Sequence, residues 1–367
     1  MEKIILHCDL NNFFASVECL DNPELKNYPV AVCGNTSERH GIVLAKNELA
    51  KAYDIKTGEV IWQAKRKCPG LIIVPPNMDR YIFFSKKAIE IYTQYTDLVE
   101  PFGIDECWLD VSGSTLLFGN GGEIAEKIRQ QVKKELGLTI SVGVSFNKIF
   151  AKLGSDLKKP DAITKIPKND YQNIVWKLQA NTLLGVGGAT NQKLIKYGIH
   201  TIGDIAKSQP LFLSSVLGKN GEMLWHFANG ECDTPVARFD DVTIPKSIGN
   251  STTTVSDLQT EEEVWVVLYK LCESVAHRLR KSHLVASAIQ ITVKDSSLFS
   301  KEFQKGLGAF TRHPLTLAKE GLELFKRNYH WEKSVRAIGL RAISLDFEKQ
   351  DEQFTLMTDI KKLDELE

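Results

Sequence analysis

Apolar positions along the chain alternate between two periods, and the order in which those periods occur predicts an architecture. Ile4–Cys8 is an unbroken apolar run closed by Asp9 and reads as a buried strand. Tyr81, Phe84, Ile89 and Tyr92 carry a helical period through 81–96, and short strands are expected at 98–102 and 106–111. Ile124, Ile128, Val132 and Leu136 recur every fourth residue, which predicts a helix, and 138–145 (LTISVGVS) reads as another strand. The resulting order, β-α-β-β-α-β, is that of a split ferredoxin-like sheet. Such a sheet brings the end of the first strand beside the central hairpin. The intervening residues 10–77 are too many for a loop and predict a small subdomain.

Beyond Lys159-Pro160 the pattern changes. Leu183-Leu-Gly-Val-Gly-Gly188 precedes a helical segment, and Tyr197-Gly-Ile-His-Thr-Ile-Gly-Asp-Ile205 repeats the design. The two read as paired helix-hairpin-helix elements, whose turns around Gly185, Gly187 and Gly198 would offer backbone N–H groups to a phosphate; a tight connection is the plainer alternative. Residues 234–246 lack a helical period and contain two prolines, as a linker does. Helices at 261–281 and 314–328 and strands at 285–294 and 335–347 then predict a second β-α-β-β-α-β sheet, completed by strands at 249–255 and 298–304. In the strand Ala288–Lys294 the apolar face is Ile289, Ile291 and Val293. The polar face of Gln290, Thr292 and Lys294 could lie on a phosphate backbone, or be an ordinary half-exposed strand face.

This topology gives three acids their interest. Asp9 ends the first strand, while Asp105 and Glu106 open the strand beyond Pro101. Taken singly, each could be a solvated strand end. Gathered at one buried sheet edge, they would be costly unless a cation held them, and hard divalent ions with oxygen ligands do so in nucleotidyl transfer. Charge over the 367 residues balances at 46 basic and 46 acidic side chains, but unevenly. Residues 1–243 carry 28 of each, 244–345 carry 15 basic against 10 acidic, and 346–367 carry 3 against 8. A basic module within a neutral chain suits a polyanion partner, although a solvated face has the same composition. The seven cysteines form no C-x-x-C pair and read as reduced core residues of a cytoplasmic protein. No 18-residue apolar stretch and no leader pattern occurs, so neither export nor a membrane span is expected.

Asp9-Leu-Asn-Asn-Phe-Phe-Ala-Ser-Val-Glu18, Gly103-Ile-Asp-Glu-Cys-Trp-Leu-Asp110, Ser141-Val-Gly-Val-Ser-Phe-Asn-Lys-Ile-Phe-Ala-Lys152 and Ser155-Asp-Leu-Lys-Lys-Pro160 occur in that order. Together they resemble the Y-family DNA polymerases of the bacterial DNA polymerase IV type, from residue 1 to about 346. The resemblance implies an α+β right hand: a ferredoxin-like palm (1–10 and 78–165), small fingers (11–77), a helix-hairpin-helix thumb (166–233), a linker (234–244), a ferredoxin-like little-finger domain (245–346) and a tail (347–367). It implies that Asp9, Asp105 and Glu106, with the Leu10 carbonyl, bind two Mg²⁺ ions, and that Phe14 is the steric gate against ribonucleotides. Backbone N–H groups of Asn12, Phe13 and Phe14 would cradle the triphosphate, which Lys51 and Lys159 would contact. Primer-template DNA and dNTPs are the implied substrates, for a monomeric translesion enzyme without proofreading.

Some positions depart from the family's pattern. Asn11 stands where many members have an acid that is not a metal ligand. Ala45, Glu48 and Lys51 stand where many have a Thr, a Tyr and an Arg on the phosphates, and Lys51 cannot make arginine's bidentate contact. In the tail, Gln353-Phe-Thr-Leu-Met357 resembles the family's sliding-clamp peptide through Gln353 and Leu356, with Met357 in place of the final aromatic. Ile360–Glu367 reads as an amphipathic helix interrupted by the chain end. Two other classes compete: a polymerase-like adaptor that binds DNA or the clamp without chemistry, and a nucleotide cyclase on the same palm sheet. The intact acids count against the first. The paired glycine turns and the basic module count against the second.

Overall fold

The computed structural model describes residues 3–35, 41–241 and 244–348, which fall into two compact units that divide after Asp241. The first unit opens with strand β1 (Ile5–Leu10) and helix α1 (Phe13–Asp21). Strands β2 (Val30–Cys33) and β3 (Val43–Lys46), helices α2 (Glu48–Lys51) and α3 (Ile61–Lys67) and strand β4 (Ile72–Val74) follow. They form the expected subdomain, a three-stranded sheet in the order β3-β2-β4 with its own core around Ala31, Val43, Ala50 and Ile61.

Helix α4 (Met78–Tyr92) returns the chain to β1; it starts a few residues earlier than its apolar spacing suggests because Asn77 caps it, and it ends earlier as well, at Tyr92. Next come β5 (Val99–Pro101), β6 (Glu106–Asp110), the short α5 (Thr115–Phe118), α6 (Gly121–Leu136), β7 (Ile140–Ser145), α7 (Lys148–Leu157) and β8 (Ile163–Ile166). The sheet runs β5-β6-β1-β7-β8, so β1 lies between β6 and β7, antiparallel to both. This is the split arrangement the sequence predicts, extended by β8, which pairs parallel to β7 and was not expected.

Each face of β1 is covered. Leu6, Cys8 and Leu10 join Cys107 and Leu109 in the core beneath α4 and α6. Ile5, His7 and Asp9 alternate onto the other face with Trp108 and Glu106, under α7. Helix α7 reaches that face because two glycines meet there. A Cβ on Gly143 would fall 1.8 Å from the Ala151 carbonyl oxygen, and one on Gly154 would fall 3.1 Å from the Gly143 Cα.

The unit closes with helices α8 (Tyr171–Val175), α9 (Gly188–Lys196), α10 (Ile202–Lys207), α11 (Pro210–Leu217) and α12 (Lys219–Ala228) around one core. Gly185 and Gly198 take φ of 94° and 72°, which explains glycine in the turns before α9 and α10. Gly187 has an ordinary φ of −76° as the residue capping α9. The linker expected at 234–246 is only partly one. Val236 is buried beside Trp108, the Ala237 N–H donates to Glu100 at 2.9 Å, and Arg238 pairs with Asp97 at 2.6 Å. The segment up to Asp241 therefore belongs to the first unit.

The second unit contains β9 (Ser247–Leu258), α13 (Glu261–Lys281), β10 (Leu284–Asp295), β11 (Ser300–Thr311), α14 (Pro314–Asn328) and β12 (Val335–Phe347). The element order is the expected one, but the strands line up as β11-β10-β12-β9. Here the second and fourth strands are central, whereas in the first sheet the first strand takes the middle. Both helices pack on the face of Ile289, Ile291 and Val293. The opposite face is polar.

Candidate active site

Two of the expected acids, Asp9 and Glu106, meet where the central strands β1 and β6 pair, and Asp105 lies next to them just before β6. Asp9 and Glu106 are direct cross-strand partners, and the Leu10 N–H donates to the Asp105 carbonyl at 3.0 Å, so Asp105 sits one position further along the same ladder. Because Leu10 and Asp105 share that hydrogen bond, the Asp9–Glu106 pair occupies the closer-spaced position of an antiparallel ladder. Two negative charges are thus held side by side, with Asp9 only 5% exposed.

Lysines from α7 and the turn after it oppose this charge. Lys159 Nζ lies 2.7 Å from Asp9 Oδ2 and 2.9 Å from Asp156, and Lys152 Nζ lies 3.0 Å from Glu106 Oε1. Burial pushes the Asp9 carboxyl up to about 7, an effect Lys159 only partly offsets. Asp105 is also raised, by burial first and then by Glu106. Burial alone would raise Glu106 as well, but the His7 ring and the Lys152 ammonium reverse this and bring it down to about 2.

Asn11 fixes Lys159 indirectly. Its amide donates to Ser141 Oγ at 2.9 Å and accepts from the Asp161 N–H at 2.8 Å, tying the Lys159–Asp161 turn to the end of β1. The amide thus has a structural use at the position where the family often has an acid. Beneath Glu106, the Ser155 hydroxyl donates to the Lys152 carbonyl and so accepts from His7 Nδ1, each at 2.7 Å. His7 Nε2 lies 3.6 Å from Glu106, longer than a hydrogen bond.

On the nucleotide side, Asn12 takes the left-handed conformation (φ 50°) and its side chain does not cap α1, leaving the helix's first N–H groups available. Phe13 is buried in the core. Phe14 is half-buried and stacks on Tyr81, ring centroids 4.1 Å apart and planes 10° apart. The Tyr81 hydroxyl is anchored on Glu18 at 2.5 Å. Lys51 lies exposed at the end of α2.

Hard oxygen donors suit a divalent cation, and burial, the main cause of the raised Asp9 and Asp105, is a cost that a bound cation would offset. Among the described residues these carboxyls do not yet form a closed ligand set. Lys159 and Lys152 hold two of them, and Asp105 is turned back toward its own loop at Gly103.

A cleft of about 380 Å³ runs from Lys152 and Asp156 to the Asn181–Gly187 turn, bringing Gly185 and Gly187 to the same side of the unit as the acids. Gly198 does not line it. In the second unit Gln290, Thr292 and Lys294 are half-exposed on the open sheet face as expected. Glu302, not anticipated, faces them and accepts from Gln290 and Thr292 at 3.4 and 3.3 Å. Gln353, Leu356 and Met357 lie outside the described residues. Lys152, Ser155, His7 and Tyr81 are the residues that sequence reasoning left without a role. The i, i+4 pair Lys152 and Asp156 on one face of α7 was the readable signal for the first.

Known proteins share this fold and sequence. The impB/mucB/samB family matches residues 8–156, and its C-terminal domain matches 245–356. DNA polymerase IV of Acetivibrio thermocellus is 52% identical over 368 residues, spanning 100% of this chain and 92% of that protein. DNA polymerase IV 1 of Bacillus subtilis is 40% identical, spanning 94% and 82%. A Y-family DNA polymerase chimera superposes with a TM-score of 0.84 at 25% identity, covering 94% of this chain and 99% of that one. Fold and relatives therefore define a DNA-directed DNA polymerase. The chain belongs to the Y family of translesion polymerases, in the DNA polymerase IV group.

Proposed function

We propose that this enzyme extends a primer on damaged template DNA by two-metal nucleotidyl transfer at Asp9, Asp105 and Glu106. The observation that carries the reading is the pairing of Asp9 with Glu106 across β1 and β6, next to Asp105, in a buried place where ionised carboxylates need a cation. Family membership makes the transfer dependent on a divalent metal, with DNA and dNTPs as substrates. Two Mg²⁺ ions would be held by the three carboxylates and the Leu10 carbonyl. Bound there, divalent ions supply acidification of the primer 3′-hydroxyl and charge neutralisation on the triphosphate and leaving pyrophosphate.

The chain's own residues do the rest. The N–H groups of Asn12, Phe13 and Phe14 cradle phosphate oxygens at the start of α1. Lys159, released from Asp9, and Lys51 add positive charge to the triphosphate. Phe14, backed by Tyr81, presents a rigid ring to the sugar and leaves no room for a 2′-hydroxyl.

In the first unit, β1 and residues 78–165 act as the palm, 11–77 as fingers and 166–233 as thumb, with Gly185, Gly187 and Gly198 on DNA phosphates. The open sheet face of 245–346, through Gln290, Thr292 and Lys294, grips the backbone as a little finger. Residues 234–244 lead from the first unit, on which 234–241 pack, into the second, and the tail 347–367 docks on the sliding clamp through Gln353, Leu356 and Met357. The enzyme works as a cytoplasmic monomer and does not proofread.

Primer extension tests this reading. Asp105→Ala should abolish dNTP addition while primer-template affinity holds. Phe14→Ala should admit CTP opposite template G at a rate much closer to that of dCTP. Robust extension by Asp105→Ala at saturating Mg²⁺, or an unchanged sugar preference in Phe14→Ala, would overturn the corresponding assignment.

A further inference from the structure

Helix α2 is where the chain departs from its family's usual residues, and its contacts give the departure a consequence. Asn47 fixes the helix in place: Oδ1 accepts from the N–H groups of Val30 and Ala50, each at 3.0 Å, and Nδ2 donates to the Tyr28 carbonyl at 2.7 Å. Glu48, the next residue, is thereby held beside the turn that follows Asp9. Its Oε1 accepts from Asn12 Nδ2 at 2.8 Å and lies 3.5 Å from Lys51 Nζ. A second cation is close by. Burial and then the Lys51 charge lower the Lys46 ammonium from its ordinary value, while Glu48 and Glu59 act the other way. Two lysines and the open start of the nine-residue α1 therefore share one region, in which Glu48 contacts both Lys51 and Asn12; Glu59, the other acid acting on Lys46, is paired with Lys67.

We propose that Glu48 sets the affinity for the incoming nucleotide: it holds Lys51 and the Asn12 amide in the free enzyme and opposes the triphosphate when it arrives. The inference rests on the nucleotide pocket assigned above. A triphosphate approaching the start of α1 meets the Glu48 charge before it can recruit Lys51, so binding must break the Glu48–Lys51 contact and tolerate a like charge nearby. Glu48 has no contact with Asp9, Asp105 or Glu106 among its hydrogen bonds and ion pairs, so the cost falls on binding rather than on the chemical step. The residue acts through Asn12 and Lys51 and is a positioning residue.

Glu48→Gln separates charge from shape, since its amide oxygen still accepts from Asn12 while the negative charge is gone. Single-turnover insertion of one dNTP on a primed template gives the nucleotide Kd and the maximal rate separately. Kd should fall about three- to tenfold in Glu48→Gln with the maximal rate unchanged, and the gain should shrink at high salt, where exposed charges are screened. A Kd that stays the same or rises would overturn the proposal, as would a gain insensitive to salt. Failure of the wild-type enzyme to extend the primer would instead remove the nucleotide-pocket reading. A tighter-binding variant must be folded, so the expected result cannot come from a damaged protein.

Discussion

Asp9 carries opposite demands. To hold a divalent cation it must be ionised, yet its burial in the sheet favours the neutral acid and lifts its carboxyl to about 7 from 3.8. The raised folded value means that its contribution to stability is fully present below about 4, where the acid is protonated folded or unfolded, and is lost as pH rises through about 7. Glu106 runs the other way. Its folded value is lowered to about 2 from 4.5, so its contribution is present above about 4.5 and lost as pH falls toward 2. Metal binding adds a competition at Asp9 between the cation and the proton. The apparent Kd for Mg²⁺ should be about tenfold weaker at about pH 6 than at about pH 8, from the ionised fraction of a group titrating near 7. Calorimetric titration of the DNA-free protein at both pH values checks this, and equal affinities would show that Asp9 is already ionised at pH 6.

At the scale of elements, the site depends on how closely α7 lies on β1 and β7. Lys152, Ser155 and Asp156 all come from α7, and Lys159 from the turn after it, so the helix brings the countercharge to the acids as one body. Gly143 sets the spacing. Gly143→Ala would place a methyl group 1.8 Å from the Ala151 carbonyl and 2.5 Å from the Ser155 nitrogen, both backbone atoms that cannot swing away. The helix would have to lift, at a cost of about 1–3 kcal/mol or more, and primer extension should fall with it. Gly187→Ala is the control, with open space around the new Cβ and an ordinary φ of −76°, and its thermal transition should match the wild type. Thermal melts of both variants test the pair, and a wild-type melt for Gly143→Ala would show that α7 is free to move outward.

Across the whole molecule, each unit has hydrophobic clusters of its own among the described residues. The clusters of the first unit end at Val236, and that of the second is drawn from Ile248 to Leu345. Residues 1–241 should therefore fold without the rest. This fragment should bind primer-template DNA at least tenfold more weakly than the full chain and with a shallower dependence on salt, because it loses the excess of 15 basic over 10 acidic residues in 244–345 together with an entire polar sheet face. Fluorescence anisotropy at several salt concentrations measures both quantities, and unchanged affinity and slope would remove the second unit from DNA binding.

Much of this was determined by the sequence alone. Apolar periodicity depends only on which face of an element is buried, so 261–281, 314–328 and 335–347 were readable to the residue, and the order of elements placed Asp9 beside Glu106 before any contact was seen. The short β8 was not readable, because four residues carry too little pattern to separate a strand from a turn. Strand order in the second sheet was not readable either, since the same β-α-β-β-α-β string is compatible with more than one central pair. The partners of each charge were decided only by tertiary structure. Lys159 reaching Asp9, Lys152 reaching Glu106, Tyr81 backing Phe14 and Glu48 holding Asn12 join residues up to 150 positions apart. Local sequence fixes which way a side chain leaves its own element, but what it meets there depends on how closely the elements pack, and at this site two glycines set that distance.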